Sequence, residues 1–122
     1  MISNTVDHER KLTVVTCSGK ITANELSDAI EKFYQGDPTP NTLWGLEQAD
    51  LSGLRADDVM KIAILTKKLR PEGFPGKTAI VTSRDLGFGM GRMFETYAEL
   101  EKHPVDLQVF RSLEEAYAWL DE

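Results

Sequence analysis

The residues best suited to chemistry in this chain stand in one short run, Gly87-Phe88-Gly89-Met90-Gly91-Arg92, with Arg84 three residues ahead of it. A glycine inside a helix costs about 1 kcal/mol relative to alanine, so three at alternate positions, heading an otherwise good helix, need a reason. Bare backbone amides at a helix N-terminus form an anion site, and Arg84 and Arg92 are spaced to add forked contacts to a phosphate or carboxylate. The spacing departs from G-x-G-x-x-G, since Arg92 stands where a third glycine would, and it is not a Walker loop. Two other reasons fit the same glycines: close packing of the helix on a sheet, or a turn that needs positive φ. Met90, Met93, Phe94 and Tyr97 follow at helical spacing. They read as a core stripe, or as the wall of an adaptable groove.

The other reactive side chains carry less. Ser52 lies in an Asp-Leu-Ser-Gly loop, where Asp50 and Ser52 suit turn hydrogen bonds to local amides. Cys17 falls in an apolar strand and reads as an inert buried thiol. A tight hairpin at Arg10-Lys11 would set His8 opposite residue 13, away from Cys17. His103 precedes Pro104 and has no evident partner, and two separate histidines with one cysteine make no metal-ligand spacing. Asp57 and Asp58 suit the first turn of a helix, whose dipole favours negative charge. No Ser-His-Asp or paired-carboxylate arrangement stands out. The sequence therefore calls for no catalytic residue, no cofactor and no metal.

Hydrophobic periodicity alternates between two and 3.6 residues and places these groups on elements. Residues 4–9 read as a short strand, residues 9–11 as a turn, and the β-branched run 12–18 as a second strand. Thr22-Ala23-Asn24-Glu25 is a capping box opening a helix with Leu26, Ala29, Ile30 and Phe33 on one face. A strand over 42–48 and a loop over 50–53 come next. A helix over 56–69 follows, with Val59, Ile62, Ala63 and Leu69 apolar. A connection rich in proline and glycine leads to 78–82, an unbroken apolar run of the kind covered on both faces of a parallel sheet. The glycine-rich helix follows and ends at His103-Pro104. Val105, Leu107 and Val109 alternate as a last strand. Ser112-Leu113-Glu114-Glu115 caps a final helix expected to bury Leu113, Ala116, Tyr117 and Leu120. The fold class is thus α/β: a mostly parallel sheet of about five strands with one antiparallel strand, in the order β-β-α-β-α-β-α-β-α.

Composition sets the outer limits. The chain has 122 residues, 41% hydrophobic and 28% charged, which suits one globular domain over residues 1–122 and excludes a disordered one. Its single cysteine suits a reducing, cytoplasmic setting. The first residues lack the basic n-region and apolar stretch of a signal peptide. No apolar run approaches the roughly 20 residues that cross a bilayer, so no stable membrane insertion is expected. The formal net charge of −6 gives the wrong field for nucleic acid. The basic cluster Lys61, Lys67, Lys68, Arg70 and Lys77 reads as a solvated helix face, or otherwise as a patch for an acidic partner. Met60, Ile64 and Leu65 add more apolar surface to their helix than one packed face needs, which predicts a homodimer.

Several segments together carry a family resemblance. They are Ser18-Gly19-Lys20-Ile21-Thr22, Leu43-Trp44, Ala49-Asp50-Leu51-Ser52-Gly53-Leu54, Lys77-Thr78-Ala79-Ile80-Val81, Gly89-Met90-Gly91-Arg92-Met93, and residues 109–116 followed by Ala118-Trp119-Leu120. On these the chain resembles the SpoIIAA-like branch of the STAS domains, the fold of the anti-sigma-factor antagonists, over nearly its whole length. The resemblance implies a small regulatory or ligand-binding domain, often dimeric, and no particular chemistry. The fold is also similar to the CRAL-TRIO lipid-transfer domains. Two positions depart from the pattern. Gly45 follows Leu43-Trp44 where similar sequences tend to be acidic, and the position matching the antagonists' phosphorylated serine falls nearer Arg55 than Ser52, so Ser52 is not expected to be a phosphosite.

The expectation is a non-enzymatic STAS-like module that binds a protein partner or a small anionic or amphipathic ligand. The binding residues would be Ser52, Arg84, Gly87, Gly89, Met90, Gly91 and Arg92, at the carboxyl ends of strands, where open α/β sheets bind ligands. Two alternatives stay open: a lipid or fatty-acid carrier, which needs a closed apolar cavity, and an enzyme acting on a phosphorylated or carboxylated metabolite, with Arg84 and Arg92 as clamps.

Overall fold

In the computed structural model, the elements among the described residues follow the expected order: β1 (Ile2–Asp7), β2 (Leu12–Lys20), α1 (Ala23–Gln35), β3 (Asn41–Asp50), α2 (Ala56–Leu69), β4 (Lys77–Val81), α3 (Asp85–Leu100), β5 (Asp106–Phe110) and α4 (Leu113–Leu120). The structure describes residues 1–71, 74, 76–100 and 106–122. The His103-Pro104 break, and Val105 of the expected last strand, lie outside the described residues.

The five strands form one sheet in the order β1-β2-β3-β4-β5. β1 pairs antiparallel with β2, and the remaining pairs are parallel. The strand over residues 77–81 is interior, flanked by β3 and β5, and Ala79, Ile80 and Val81 are buried. Each parallel connection steps to the next neighbour in the same direction. With right-handed crossovers, that sends every connecting helix to the same face. Accordingly α1, α2 and α3 cover one face around Val15, Cys17, Leu26, Ile30 and Ile62, with Trp44, Met90 and Phe94 packed against them. Helix α4 covers the other face, over Leu12, Leu43, Ala79, Val81, Ala116 and Leu120.

Register sorts the side chains. Val15, Trp44, Ile80 and Val109 align across β2 to β5 and form one row. Thr13, Thr42, Thr78 and Leu107 form a second row nearer the strands' amino ends. These two rows face the three-helix layer, and the intervening row beginning Val14, Leu43 and Ala79 faces α4, because successive side chains alternate. A register shift between Thr16 and Ser18 gives β3 one extra residue near Leu46 and Glu47.

Local chemistry sets the helix ends. Thr22 and Glu25 make the reciprocal capping box at α1. At α2 the Asp58 carboxylate accepts the N–H of Arg55, the residue before the helix, at 2.9 Å, which places the helix start beyond Ser52. Ser112 Oγ accepts the Glu115 N–H at 3.3 Å at α4.

Three expectations are corrected. The hairpin pairs Val6 with Thr13 and Asp7 with Leu12, leaving His8 in the turn; Arg10 N–H donates to Asp7 Oδ1 there, and Lys11 takes the left-handed conformation at φ 53°. Leu113 is 42% exposed, because as the first residue of α4 it precedes the face that meets the sheet. The basic cluster does not share one solvated face. Lys61, Lys67 and Lys68 are exposed, while Arg70 is buried. Lys77 Nζ donates to the Trp119 and Glu122 carbonyls at the end of α4, where helix carbonyls and the dipole favour a cation.

Candidate functional site

Between the sheet and the three-helix layer lies a cavity of about 110 Å³. Its floor is Thr42, Trp44 and Leu46 of β3, Thr78 and Ile80 of β4, and Leu107 of β5. Its roof comes from α1 (Leu26, Ile30, Phe33), α2 (Val59, Ile62) and α3 (Met90, Gly91, Phe94). Leu51 and Leu54 border it from the loop after β3. The walls are almost wholly carbon. Helix α2 lies between α1 and α3 over this face.

The cavity changes character along the strands. Towards their amino ends its lining becomes polar: Tyr34, Thr42, Thr66, Thr78 and Arg70, which is the one charged residue among the described lining residues. Arg70 caps the end of α2, where Pro71 stops the helix and the helix dipole favours a cation. It is only 8% exposed. Its Nη2 donates to the Phe74 carbonyl at 3.0 Å, its Nη1 reaches the Tyr34 hydroxyl at 3.4 Å, and its guanidinium lies 5.0 Å from the centre of the Phe74 ring. Tyr34 stands edge-on to both Phe33 and Phe74. Below it, Thr42 Oγ1 donates to Thr78 Oγ1 at 3.0 Å, and Thr66 Oγ1 donates back to the Ile62 carbonyl at 2.8 Å.

The glycine helix resolves into two faces. Gly87 and Gly91 are buried against the sheet. A methyl group on Gly87 would overlap Thr82 Oγ1, and one on Gly91 would come within 2.9 Å of Val109 Cγ1. Gly89 faces open space, with nothing within 4 Å of a methyl there, and none of the three has positive φ. Close approach of α3 to the sheet is therefore reason enough for two of the three glycines. Met90, between them, lines the cavity. At the head of α3 the negative charge at the helix start is Asp85's own; Arg111 pairs with it at 3.1 Å and stacks on Phe88 at 4.1 Å. Arg92 is exposed and pairs with Glu95.

The two segments read from sequence do meet at the carboxyl edge of the sheet. Leu51 lies over Gly87, Lys20 approaches Gly53, and the positive charges of Lys20 and Arg84 act on Asp50. The Asp50 carboxyl is held below its ordinary value first by hydrogen bonds from the Ser52 hydroxyl and backbone N–H. Ser52 itself is exposed. Cys17 is wholly buried, and burial pushes its thiol up to about 11, which leaves it protonated and a poor nucleophile. Among the described residues no three His, Cys, Asp or Glu side chains converge on a metal position, and no helix is long and apolar enough to cross a membrane.

Arg70, Tyr34, Thr42 and Thr78 were not legible as a site. The signals present were an arginine at a helix end before a proline, and threonines at the starts of two adjacent strands. Neither indicates burial in a shared cavity until the strand order is known.

No protein-family model matches the chain, and no curated protein does. Solved structures do. The crystal structure of an anti-sigma factor antagonist from Mycobacterium paratuberculosis superposes with a TM-score of 0.58 at 19% identity, covering 100% of this chain and 96% of that one. The anti-sigma factor antagonist SpoIIAA in its unphosphorylated form matches with a TM-score of 0.50 at 12% identity, covering 99% of this chain and 98% of that one. At these identities the likeness establishes architecture, and the chain has the fold of the anti-sigma factor antagonists, the STAS fold.

Proposed function

We propose that the chain is a non-enzymatic STAS-fold module that binds a small amphipathic molecule between its sheet and its three-helix layer. The cavity carries this reading. Protein interiors are close-packed, and voids larger than a water molecule are few. An apolar group entering this space would leave water and gain contact with carbon walls. Carbon walls with a few polar groups at one end are what ligand cavities offer. Native mass spectrometry of protein purified from its host tests the reading: a bound molecule of a few hundred daltons or less is expected, lost on organic extraction with a fall in melting temperature. Extracted protein that melts unchanged and shows no amide shifts around Trp44, Met90 and Phe94 with any added small apolar acid, alcohol or ring compound would sink it.

A second reading is favoured by the meeting of the two carboxyl-edge segments. Ser52, Arg84, Gly89 and Arg92 offer an exposed surface there, flanked by Gly87, Met90 and Gly91, for a partner protein, as the names of the structural neighbours suggest. Met60 and Ile64, both exposed on α2, support self-association through that helix. Sedimentation velocity at micromolar concentration should then show a species of twice 13.7 kDa; monomer alone would dismiss the homodimer.

A further inference from the structure

Resting on the cavity reading, we infer that the occupant is an uncharged molecule with a compact apolar body and one carbonyl-type acceptor, its oxygen seated against the hydroxyls of Thr42 and Thr78. The chemistry of the lining selects it. Among the described lining residues the polar side chains are Tyr34, Thr42, Thr66, Arg70 and Thr78. All of them are donors, and none is a carboxylate or an amide. An ammonium group would enter with its N–H groups poorly matched. An ionised carboxylate would leave water for walls made almost wholly of carbon, which costs far more than moving a neutral group. Arg70 is already engaged, with the Phe74 carbonyl and the Tyr34 hydroxyl among its partners.

The hydroxyl hydrogens decide where the oxygen sits. Thr66 donates its own to the Ile62 carbonyl one turn earlier and has none to offer. Thr42 and Thr78 stand opposite each other on adjacent strands and bond at 3.0 Å. That pair has two hydroxyl hydrogens, and the mutual bond uses one. Whichever residue donates, the other's hydrogen is left for a third group, and no acceptor for it stands among the described residues. Tyr34 is a second donor at the same end: its hydroxyl accepts from Arg70 Nη1, which polarises its own O–H. A carbonyl oxygen brings two lone pairs and no hydrogen. It can meet these donors without adding another, whereas an alcohol adds one.

The apolar end sets the size. The cavity, at about 110 Å³, is somewhat smaller than the engineered cavity of about 150 Å³ that holds benzene. It suits one small ring, or a chain of a few carbons, lying along Ile30, Trp44 and Phe94. The register ties the two ends together. The Thr42–Thr78 pair and the Trp44–Ile80 pair are successive rows on one face of the sheet, roughly 6.6 Å apart at two residues along a strand. One molecule of this size therefore meets hydroxyls with its oxygen and carbon with its body.

The experiment uses the full chain, freed of any co-purified molecule, and follows calorimetry and backbone amide shifts at neutral pH. The probes are cyclopentanone, its hydrocarbon twin methylenecyclopentane, cyclopentanecarboxylate and cyclopentylamine. The ketone is expected to bind with shifts at residues 42, 44, 78 and 80, and to bind tighter than either ion. In the paired variant Thr42→Val, Thr78→Val, which keeps the side-chain shapes, the ketone should lose about ten-fold in affinity, as for one buried hydrogen bond, while the hydrocarbon loses nothing. Equal changes for ketone and hydrocarbon would overturn the inference and leave the cavity reading standing, as would a hydrocarbon that binds where the ketone does not. Either ion binding tighter than the ketone would overturn the uncharged class. Ketone shifts confined to residue 52 and residues 84–92 would overturn the placement. No binding by any of the four would overturn both readings. If the paired variant does not fold, the infrared carbonyl stretch of cyclopentanone bound to the unaltered protein decides. A band shifted down from its position in hydrocarbon solvent is expected, and an unshifted band would overturn the hydroxyl contact.

Discussion

On the face covered by α4, Leu12, Leu43, Ala79, Val81, Ala116 and Leu120 are each at most 8% exposed, and none lines the cavity. On the opposite face an apolar set from the strands, the loop after β3, α1 and α2, with Met90 and Phe94 of α3 packed against it, leaves about 110 Å³ open. The difference comes from how each face is covered. One short helix can settle onto a sheet and bring small residues such as Ala116 into the gaps. Three helices tied to successive strands cannot each settle independently, and α3 makes close contact only where Gly87 and Gly91 allow it. Hydrophobic content alone thus does not separate a face that stabilises the fold from one suited to binding; the freedom of the covering elements does.

The largest expected effect lies on the packed face. Leu43 is fully buried there, and Leu43→Ala should cost about 2–5 kcal/mol in urea unfolding, with ligand affinity unchanged in whatever fraction stays folded. A loss under 1 kcal/mol would show that this face is as loose as the other. The next test reverses direction by enlarging a residue on each face. Ala116→Leu should overpack and destabilise by about 1–3 kcal/mol. Ile30→Phe, directed into the cavity, should stabilise by about 0.5–2 kcal/mol and abolish binding of small apolar ligands. The same sign for both would erase the comparison.

Within α3 the contrast repeats on a smaller scale. Gly91→Ala should destabilise by about 1–2 kcal/mol, since the branched Val109 must move to admit a methyl. Gly89→Ala should stabilise by up to about 1 kcal/mol in the same thermal melt, because alanine is the better helix former where nothing obstructs it. The smallest effect concerns the carboxyl edge. Asp50 is held below the usual carboxylate range by Ser52, so what it contributes to stability is present above its unfolded value and lost as pH falls through that acid range. An NMR titration of Ser52→Ala should move Asp50 back up, with little change in the melting temperature at pH 7.

Much of the fold is legible in the amino-acid sequence. The α2 helix read as 56–69 is observed as Ala56–Leu69, because a helix's apolar period, its acidic first turn and a following proline are local properties. Thr22 with Glu25, and Ser112 ahead of Glu115, marked helix starts for the same reason. Leu113 and the hairpin register misread because each depends on a packing partner rather than on spacing alone. The run at residues 87–92 stood out because glycines in a helix are locally costly, yet which of them meet the sheet depends on how α3 is rolled against β4 and β5, and no local rule sets that. Arg70 shows the limit best. By sequence it belonged to a basic, solvated cluster; only the sequential order of five strands put all three crossover helices on one face, turned the end of α2 inward beside Tyr34, Thr42 and Thr78, and made a buried charge of it. Periodicity and capping are short-range and are written in the chain, whereas a cavity belongs to residues far apart in sequence and exists only once the layers have packed.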